Sequence, residues 1–551
     1  MLRERLEAKG RLFPPSDAVA GSPEERQIID HAAAELEELG LDVSRYSFEC
    51  MSWREKYTEV SVKSHRFNAV AMPYSPSAEI EGELVHVGDA AHPRDWEGLD
   101  LSGKVALVQL YRKLDEATWQ YIEAVLHGAE AVIFYDRFPS RRRRMVVLFS
   151  LDYRFGPGAP PPVPAVAVSF EDGVRLTKTA RRGEKVSVRV EAEVDHAATS
   201  QVVFAGDLSG PVISAHADKW LSGFTDDVLG VGMLLELARE LREGAGYVLF
   251  GAEESGAPAY SPWYWIWGSR SFVKHLARAG SIGEFGALLN LDTLGGARLR
   301  IAASGPDFAE ALRELAGAEV GPDSVLFDSF SFTMAGIPAA TFHTFPELWS
   351  VYHSDADTST AVNWEGVERA YRAVVHVAKV LAEKRWSLMR YDLLVSSILE
   401  KLERLSFLRE ARELASEVAK LRVGCEEEAR ELRRALTRAI FRGHYETELV
   451  ESEVAYPYPL DVADDLVKLR EALAGSGSLD AALRGLRRVP GFEQALPSLE
   501  PLRRSTLSQS SLREYYTALE RAVLESLAML REAIASLSIA RLSSTARSSA
   551  V

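Results

Sequence analysis

Residues 211–256 read PVISAHADKWLSGFTDDVLGVGMLLELARELREGAGYVLFGAEESG, and the alternation within this stretch decides the fold. A short apolar run, Pro211 to Ala215, ends in His216-Ala217-Asp218. Gly223-Phe224-Thr225-Asp226-Asp227 follows, and then Val231, Leu234, Leu235, Ala238 and Leu241 share one helical stripe. A second apolar run, Tyr247 to Phe250, leads to Glu253-Glu254, and a third, Ala287 to Leu291, ends in Asp292. Strand-length apolar runs alternating with helical periodicity predict an α/β fold with a doubly wound, mostly parallel sheet. Function in such sheets gathers just beyond the carboxyl ends of the strands. Here three strands each bring an acid or an imidazole to that end, which points to a metal site.

The chemistry follows residue by residue. Two divalent ions about 3.5–4 Å apart need a shared anionic ligand, terminal ligands on each ion and a base for the attacking water. Asp226, in a tight glycine-containing loop, is the candidate bridge, and His216, Asp292, Glu254 and a later histidine complete the two sets. Glu253 neighbours a ligand but points the other way from an extended backbone, which leaves it free as general base. Asp218, two residues after His216, is placed to hydrogen-bond the imidazole and fix its tautomer. The later histidine is His353, in Val351-Tyr352-His353-Ser354-Asp355-Ala356-Asp357-Thr358, with His343 as the alternative because it too follows an apolar run. Alone, each signal is ordinary: an HxD is usually a polar loop, an acidic pair is usually solvated, and Asp292 would serve as a helix cap. The ordered set, with every required residue type at a strand end, is not.

The motifs HAD, GFTDD, GAEESG, NLDTLG and YHSDADT, in this order, resemble those of the M28 metallopeptidases, a family of two-zinc exopeptidases. The spacing from His216 through Asp218, Trp220 and Gly223 to Asp226 is similar to the glutamate carboxypeptidase II branch, whereas the double acid Asp226-Asp227 is more like the aminopeptidase branch. The resemblance implies that His216, Asp226 and Asp292 hold one zinc ion and Asp226, Glu254 and His353 the other, with Glu253 as the base. It also implies that Tyr352 hydrogen-bonds the oxyanion. Three carboxylates and two histidines would accept cobalt or manganese as well. The expected activity is that of an aminopeptidase acting on apolar N-terminal residues of peptides. A carboxypeptidase or dipeptidase is the alternative within enzymes, and an inactive, transferrin-receptor-like binding protein is the alternative outside them.

The chain has 551 residues, 47% hydrophobic and 26% charged, globular values with room for two or three cores. A net charge of −16 speaks against nucleic-acid or anionic-membrane partners. Cys50 and Cys425 are the only cysteines, so no disulfide framework is expected. The opening MLRERLEAKGRLFPPSD lacks the apolar centre of a signal peptide, and no stretch offers a membrane span; the expectation is a cytoplasmic protein. Asparagine occurs only at Asn68, Asn290 and Asn363, which with abundant Arg and Glu suggests a thermophile or a GC-rich genome.

Along the chain, residues 22–40 predict an amphipathic helix with a Ser22/Glu25 capping box, a stripe of Ile28, Ala32, Leu36 and Leu39, and Gly40 at its end. Residues 1–66 and 199–385 are assigned to the peptidase domain. Residues 67–198 read as short strands with one helical stretch, Ala117 to His127, and their order resembles the β-rich protease-associated (PA) domain inserted in several M28 enzymes. Arg112 and Lys113 fall near the place where the carboxypeptidase branch carries a substrate-binding arginine, but the register does not support a transfer. Arg141 to Arg144 read first as a solvated loop, and second as a patch for a peptide carboxylate. After the Glu pair, Trp263, Tyr264, Trp265 and Trp267 either line a side-chain pocket or pack beneath the insert or a partner subunit. Residues 386–551 are expected to be all-helical, with one stripe at Leu394, Ile398, Leu402 and Leu405 and another from Tyr516 to Leu537. Their position resembles the dimerisation domain of the carboxypeptidase II group, which implies a homodimer.

Overall fold

A computed structural model describes residues 2–421, apart from 91–92, 111–113, 150–158, 243 and 262. Beyond these it describes 428, 430–434, 462–475 and, with gaps, 513–535. Arg112, Lys113 and the positions Leu519 and Leu537 of the last stripe lie outside the described residues.

Four strands, buried throughout except at His343, form the centre of the sheet: Ala339–His343, Ala287–Leu291, Pro211–His216 and Gly246–Phe250, side by side in that order and all parallel. Being covered on both faces, they read as continuous apolar runs rather than alternating ones. Their carboxyl ends therefore lie along one rim, as the expected parallel sheet requires. The flanks depart from it, since Arg300–Ala303 on one side and Lys185–Gly206 on the other pair antiparallel to this centre.

Two long antiparallel strands, Val43–Val62 and Lys185–Gly206, carry the chain into and out of the insert. The first half of Lys185–Gly206 pairs with Ala78–Gly88 and its last residues pair with Gly246–Phe250, so both lobes share one 14-stranded sheet. Ala78–Gly88, Lys104–Gln109, Ala131–Tyr135 and Ala165–Val168 continue it in parallel. Among the described residues two α-helices lie in this segment, not one. Leu114–Leu126 covers the expected stretch, and Phe170–Ala180 follows Ser169, whose hydroxyl accepts the Asp172 amide at 3.2 Å as an N-cap. That cap motif was readable in SFEDGVRL but was hidden by the apolar strand before it.

The helix Pro23–Glu38 is capped by Ser22, whose hydroxyl accepts the Glu25 amide at 3.1 Å, and it buries Ile28, Ala32 and Leu36. The reciprocal half of the capping box is absent, because the Glu25 carboxylate turns inward. One hydrophobic core lies between this face of the sheet and the helices Pro23–Glu38, Leu229–Leu241 and Trp364–Lys384. On the opposite face a second core joins Phe272, Leu288 and Phe330 to Leu394, Ile398, Leu402 and Leu405. The first stripe of the C-terminal segment is therefore buried against its own chain. Among the described residues no helix is long and apolar enough to cross a membrane.

Candidate metal centre

The predicted ligands converge. His216 ends its strand, Asp226 lies in the loop after Gly223, Glu254 follows the strand Gly246–Phe250, and Asp292 follows Ala287–Leu291. His353 comes from the loop after Ala339–His343. His216, Asp226 and Asp292 form one buried set, and Asp226, Glu254 and His353 another, with the ligand atoms of each set within 4.8 Å of one another. His216 Nε2 lies 3.1 Å from Asp226 Oδ1 and 4.0 Å from Asp292 Oδ1. His353 Nε2 lies 2.9 Å from Glu254 Oε2 and 3.4 Å from Asp226 Oδ2. Atoms bound at about 2.0–2.2 Å to one tetrahedral ion stand about 3.3–3.5 Å apart, and these separations bracket that value.

The donor atoms also lack other work. Neither ring nitrogen of His353 makes a hydrogen bond, nor does Glu254 Oε1, although all three are buried. Unpaired buried polar atoms are costly unless an ion completes them. His216 Nδ1 faces the Asp218 carbonyl at 3.0 Å. A carbonyl only accepts, so Nδ1 carries the proton and the Nε2 lone pair points at the shared space. The residues present thus fit two divalent cations bridged by Asp226.

The electrostatics agree. Burial pushes Glu254 up to about 7 and Asp292 up to about 6. Burial also raises Glu253 well above the usual carboxylate range, with Asp292, Asp328 and Glu254 adding to it. Burial works against the charge of His353, but Glu254 and Asp226 raise it to about 9; Glu253 and Asp227 likewise raise His216. Asp226 is held below the usual range despite its burial because both imidazoles face it. A pocket so crowded with carboxylates is one that positive charge stabilises.

Around this set, Asp218 departs from expectation. Its main-chain oxygen orients His216, while its carboxylate, 3.7 Å from the ring, accepts the amides of Glu253 and Glu254 at 2.8 Å each. Tyr352 stacks on His353 with ring centroids 3.7 Å apart, and burial together with the site carboxylates holds its phenol well above the ordinary range. His343, the alternative ligand, packs against Phe327 and belongs to neither set. Trp263 and Trp267 are core residues, 1% and 6% exposed, so they line no open pocket. Tyr264 is half-buried with an edge-on contact to Tyr74 of the insert, and half-buried Trp265 donates to the Val325 carbonyl at 2.6 Å. Trp263 and Trp267 both belong to the core that holds Phe272, Leu288 and Phe330, rather than packing beneath residues 67–198.

The basic run is the largest correction. Arg143 and Arg144 are 3% and 2% exposed, not solvated, and the run holds the loop that carries Tyr352 and His353. Sequence reasoning also missed three buried acids. Asp357 accepts the Thr225 amide at 3.0 Å and so fixes the Asp226 loop. Glu25 accepts the Ala252 amide at 2.8 Å, beneath the Glu pair. Asp328 is fully buried beside Glu253 and His216, and burial raises its carboxyl to about 7. An acid inside the apolar stretch 325–332 was the available signal for Asp328.

Two sets of ligands sharing one carboxylate, at the strand ends of an open α/β sheet, fit a zinc-binding site. Residues 209–378, which contain every ligand, match the profile of Peptidase family M28. A probable leucine aminopeptidase 2 of Aspergillus oryzae is 24% identical over 306 residues, which are 53% of this chain and 58% of that protein. The structure of a zinc aminopeptidase from Bacillus subtilis aligns with a TM-score of 0.54 at 20% identity, covering 70% of this chain and 94% of that one. A Peptidase M28 precursor from Shewanella amazonensis SB2B aligns with a TM-score of 0.55 at 19% identity, covering 69% and 92%. At these identities the two structures speak for the fold alone.

Proposed function

We propose that this chain is a two-zinc aminopeptidase that removes apolar N-terminal residues from short peptides. The observation that carries the reading is the pair of ligand sets meeting at Asp226, with Glu253 beside them and no ligand lost. When bound, the two ions supply Lewis-acid polarisation of the scissile carbonyl and a water acidified towards neutral pH. Glu253 takes the proton of the attacking water and returns it to the leaving amine. Asp218 fixes the direction of that carboxylate by holding the Glu253 amide. The Tyr352 hydroxyl, kept protonated, donates to the oxyanion.

Three observations favour the amino end. The site is rich in carboxylates, which suit an ammonium group. Arg142, Arg143 and Arg144, the cations nearest the His353 loop, are committed to Asp355, Asp136, Asp17 and Glu55 rather than to a free peptide carboxylate. The Aspergillus relative bears the name leucine aminopeptidase. The ligands, at most 9% exposed, suit the end of a short chain better than a folded loop. Half-buried Tyr264 and Trp265 are the candidates for contact with the apolar side chain.

The test is a leucine-leading tetrapeptide offered free, N-acetylated and C-amidated to zinc-loaded protein, with mass detection. The free and amidated forms should lose their first residue while the acetylated form survives. Shortening from the other end overturns the reading in favour of a carboxypeptidase. Elemental analysis should find two zinc ions per chain, replaceable by cobalt or manganese with activity retained.

A further inference from the structure

His216 and His353 are held in different ways. The ring of His216 is pinned by the Asp218 carbonyl. Neither ring nitrogen of His353 has such a hydrogen bond, and the ring contacts only its fellow ligands Glu254 and Asp226 and the stacked ring of Tyr352, which belongs to the same loop, so its aim follows the backbone of that loop. That backbone has φ of 54°, a left-handed conformation that a non-glycine residue keeps only where its surroundings over-determine it.

The surroundings come from the insert. Arg143 Nη1 donates to the Tyr352 carbonyl, and Nη2 donates to the Trp349 and Ser350 carbonyls at 3.1 Å each. The Arg144 amide donates to the His353 carbonyl at 2.9 Å, and Arg143 forms a β-bridge with Ser354. Arg142 binds both carboxylate oxygens of Asp355, and its carbonyl accepts the Asp355 amide at 3.2 Å. Arg143 is itself fixed by Asp136 at 2.8 Å and covered by the Trp349 ring, 5.1 Å away. One guanidinium thus collects three carbonyls of a single loop, a planar fork that lysine's single ammonium cannot reproduce.

We propose that the insert forms part of the second cation site, with Arg143 and the Arg144 amide as the positioning elements that set His353 for the ion shared with Asp226 and Glu254. The proposal rests on the two-cation reading above and adds a division of labour. In the first site the His216 ring is pinned from within its own segment by the Asp218 carbonyl, whereas in the second the histidine needs residues 142–144 to hold its loop.

Zinc uptake by equilibrium dialysis and the visible spectrum of cobalt-loaded protein separate the two sites. Wild-type full-length chain should bind two ions. Arg143→Met should keep the first ion with unchanged affinity, bind the second at least tenfold more weakly, and alter the cobalt spectrum of the second equivalent. Arg143→Lys should recover only part of that loss. Wild-type affinity and spectrum for the second ion in Arg143→Met overturn the proposal. Hydrogen exchange on the wild type, which needs no variant to fold, gives an independent check: the second zinc equivalent should slow exchange at residues 142–145 and 353–355, and unchanged exchange there overturns it too. A wild type that takes up fewer than two ions overturns the two-cation reading itself, and this proposal with it.

Discussion

At the scale of single residues, the centre separates binding from chemistry. Glu253 belongs to neither ligand set, so Glu253→Gln removes a proton acceptor without removing a ligand. Turnover should fall by about 10²–10⁴-fold, the usual contribution of a positioned general base, while elemental analysis still finds the wild-type zinc content. Retained turnover would remove Glu253 from the mechanism. Glu25 carries a different prediction. Burial, with Asp218 adding, raises it to about 8, although Gly21, Ser200 and Ala252 all donate to it. A carboxyl raised on folding contributes stability that is fully present below its unfolded pKa, near 4.5, and is lost as pH rises through about 8. Melting temperatures of wild type and Glu25→Gln at constant zinc, from pH 4.5 to 9, should therefore fall less steeply in the variant; parallel curves would contradict the assignment. His216, Glu254 and Asp292 were legible in the sequence because each follows an apolar run, and Asp226 and His353 because each lies in a short polar loop in the same ordered set. Glu25, Asp328 and Asp357 were not, because their partners come from distant elements. Arg143 was misread because its acceptors are mostly main-chain carbonyls, which leave no mark in a sequence.

At the scale of elements, the turns after the strands do the positioning, and glycine sets how closely they pack. The helix Trp267–Arg278 begins against the turn that carries the Glu pair, and a Cβ on Gly268 would lie 1.9 Å from the Gly251 carbonyl oxygen. Backbone cannot move aside as a side chain can, so Gly268→Ala should destabilise the protein by about 1–3 kcal/mol. Because Gly251 lies just ahead of Glu253 and Glu254, the same variant should also bind zinc more weakly. Thermal unfolding with and without zinc checks both, and an unchanged melting temperature would show that the contact yields. The strands and the helix of residues 23–38 were legible because period and cap agree there. The helix Phe170–Ala180 was not, since four apolar strand residues immediately before its Ser169 cap dominate the local pattern.

At the scale of the whole molecule, the question is what binds the C-terminal helices to the sheet. Their apolar stripe enters the core that holds Phe272 and Leu288, a destination that periodicity alone could not distinguish from a partner subunit. A polar lock accompanies it. Arg433, 1% exposed, pairs with Asp307 and donates to the Ser304 carbonyl at 2.5 Å and to its hydroxyl at 2.7 Å. Asp307 is fully buried, so Arg433→Ala leaves a carboxylate without its cation inside the protein. Loss of one partner of a buried pair destabilises by about 3–5 kcal/mol, most of it from the stranded charge and not from the lost attraction. The double variant Arg433→Ala with Asp307→Asn removes that charge and should recover a large part of the loss, which is the coupling expected of contacting residues. Urea unfolding of wild type, both single variants and the double variant measures this directly. If the double variant is no more stable than Arg433→Ala, the pair is not the lock, and the apolar stripe alone joins the helices to the sheet. If Arg433→Ala lowers the urea midpoint but leaves zinc content and peptide cleavage intact, the lock serves stability only, and the C-terminal helices take no part in the chemistry.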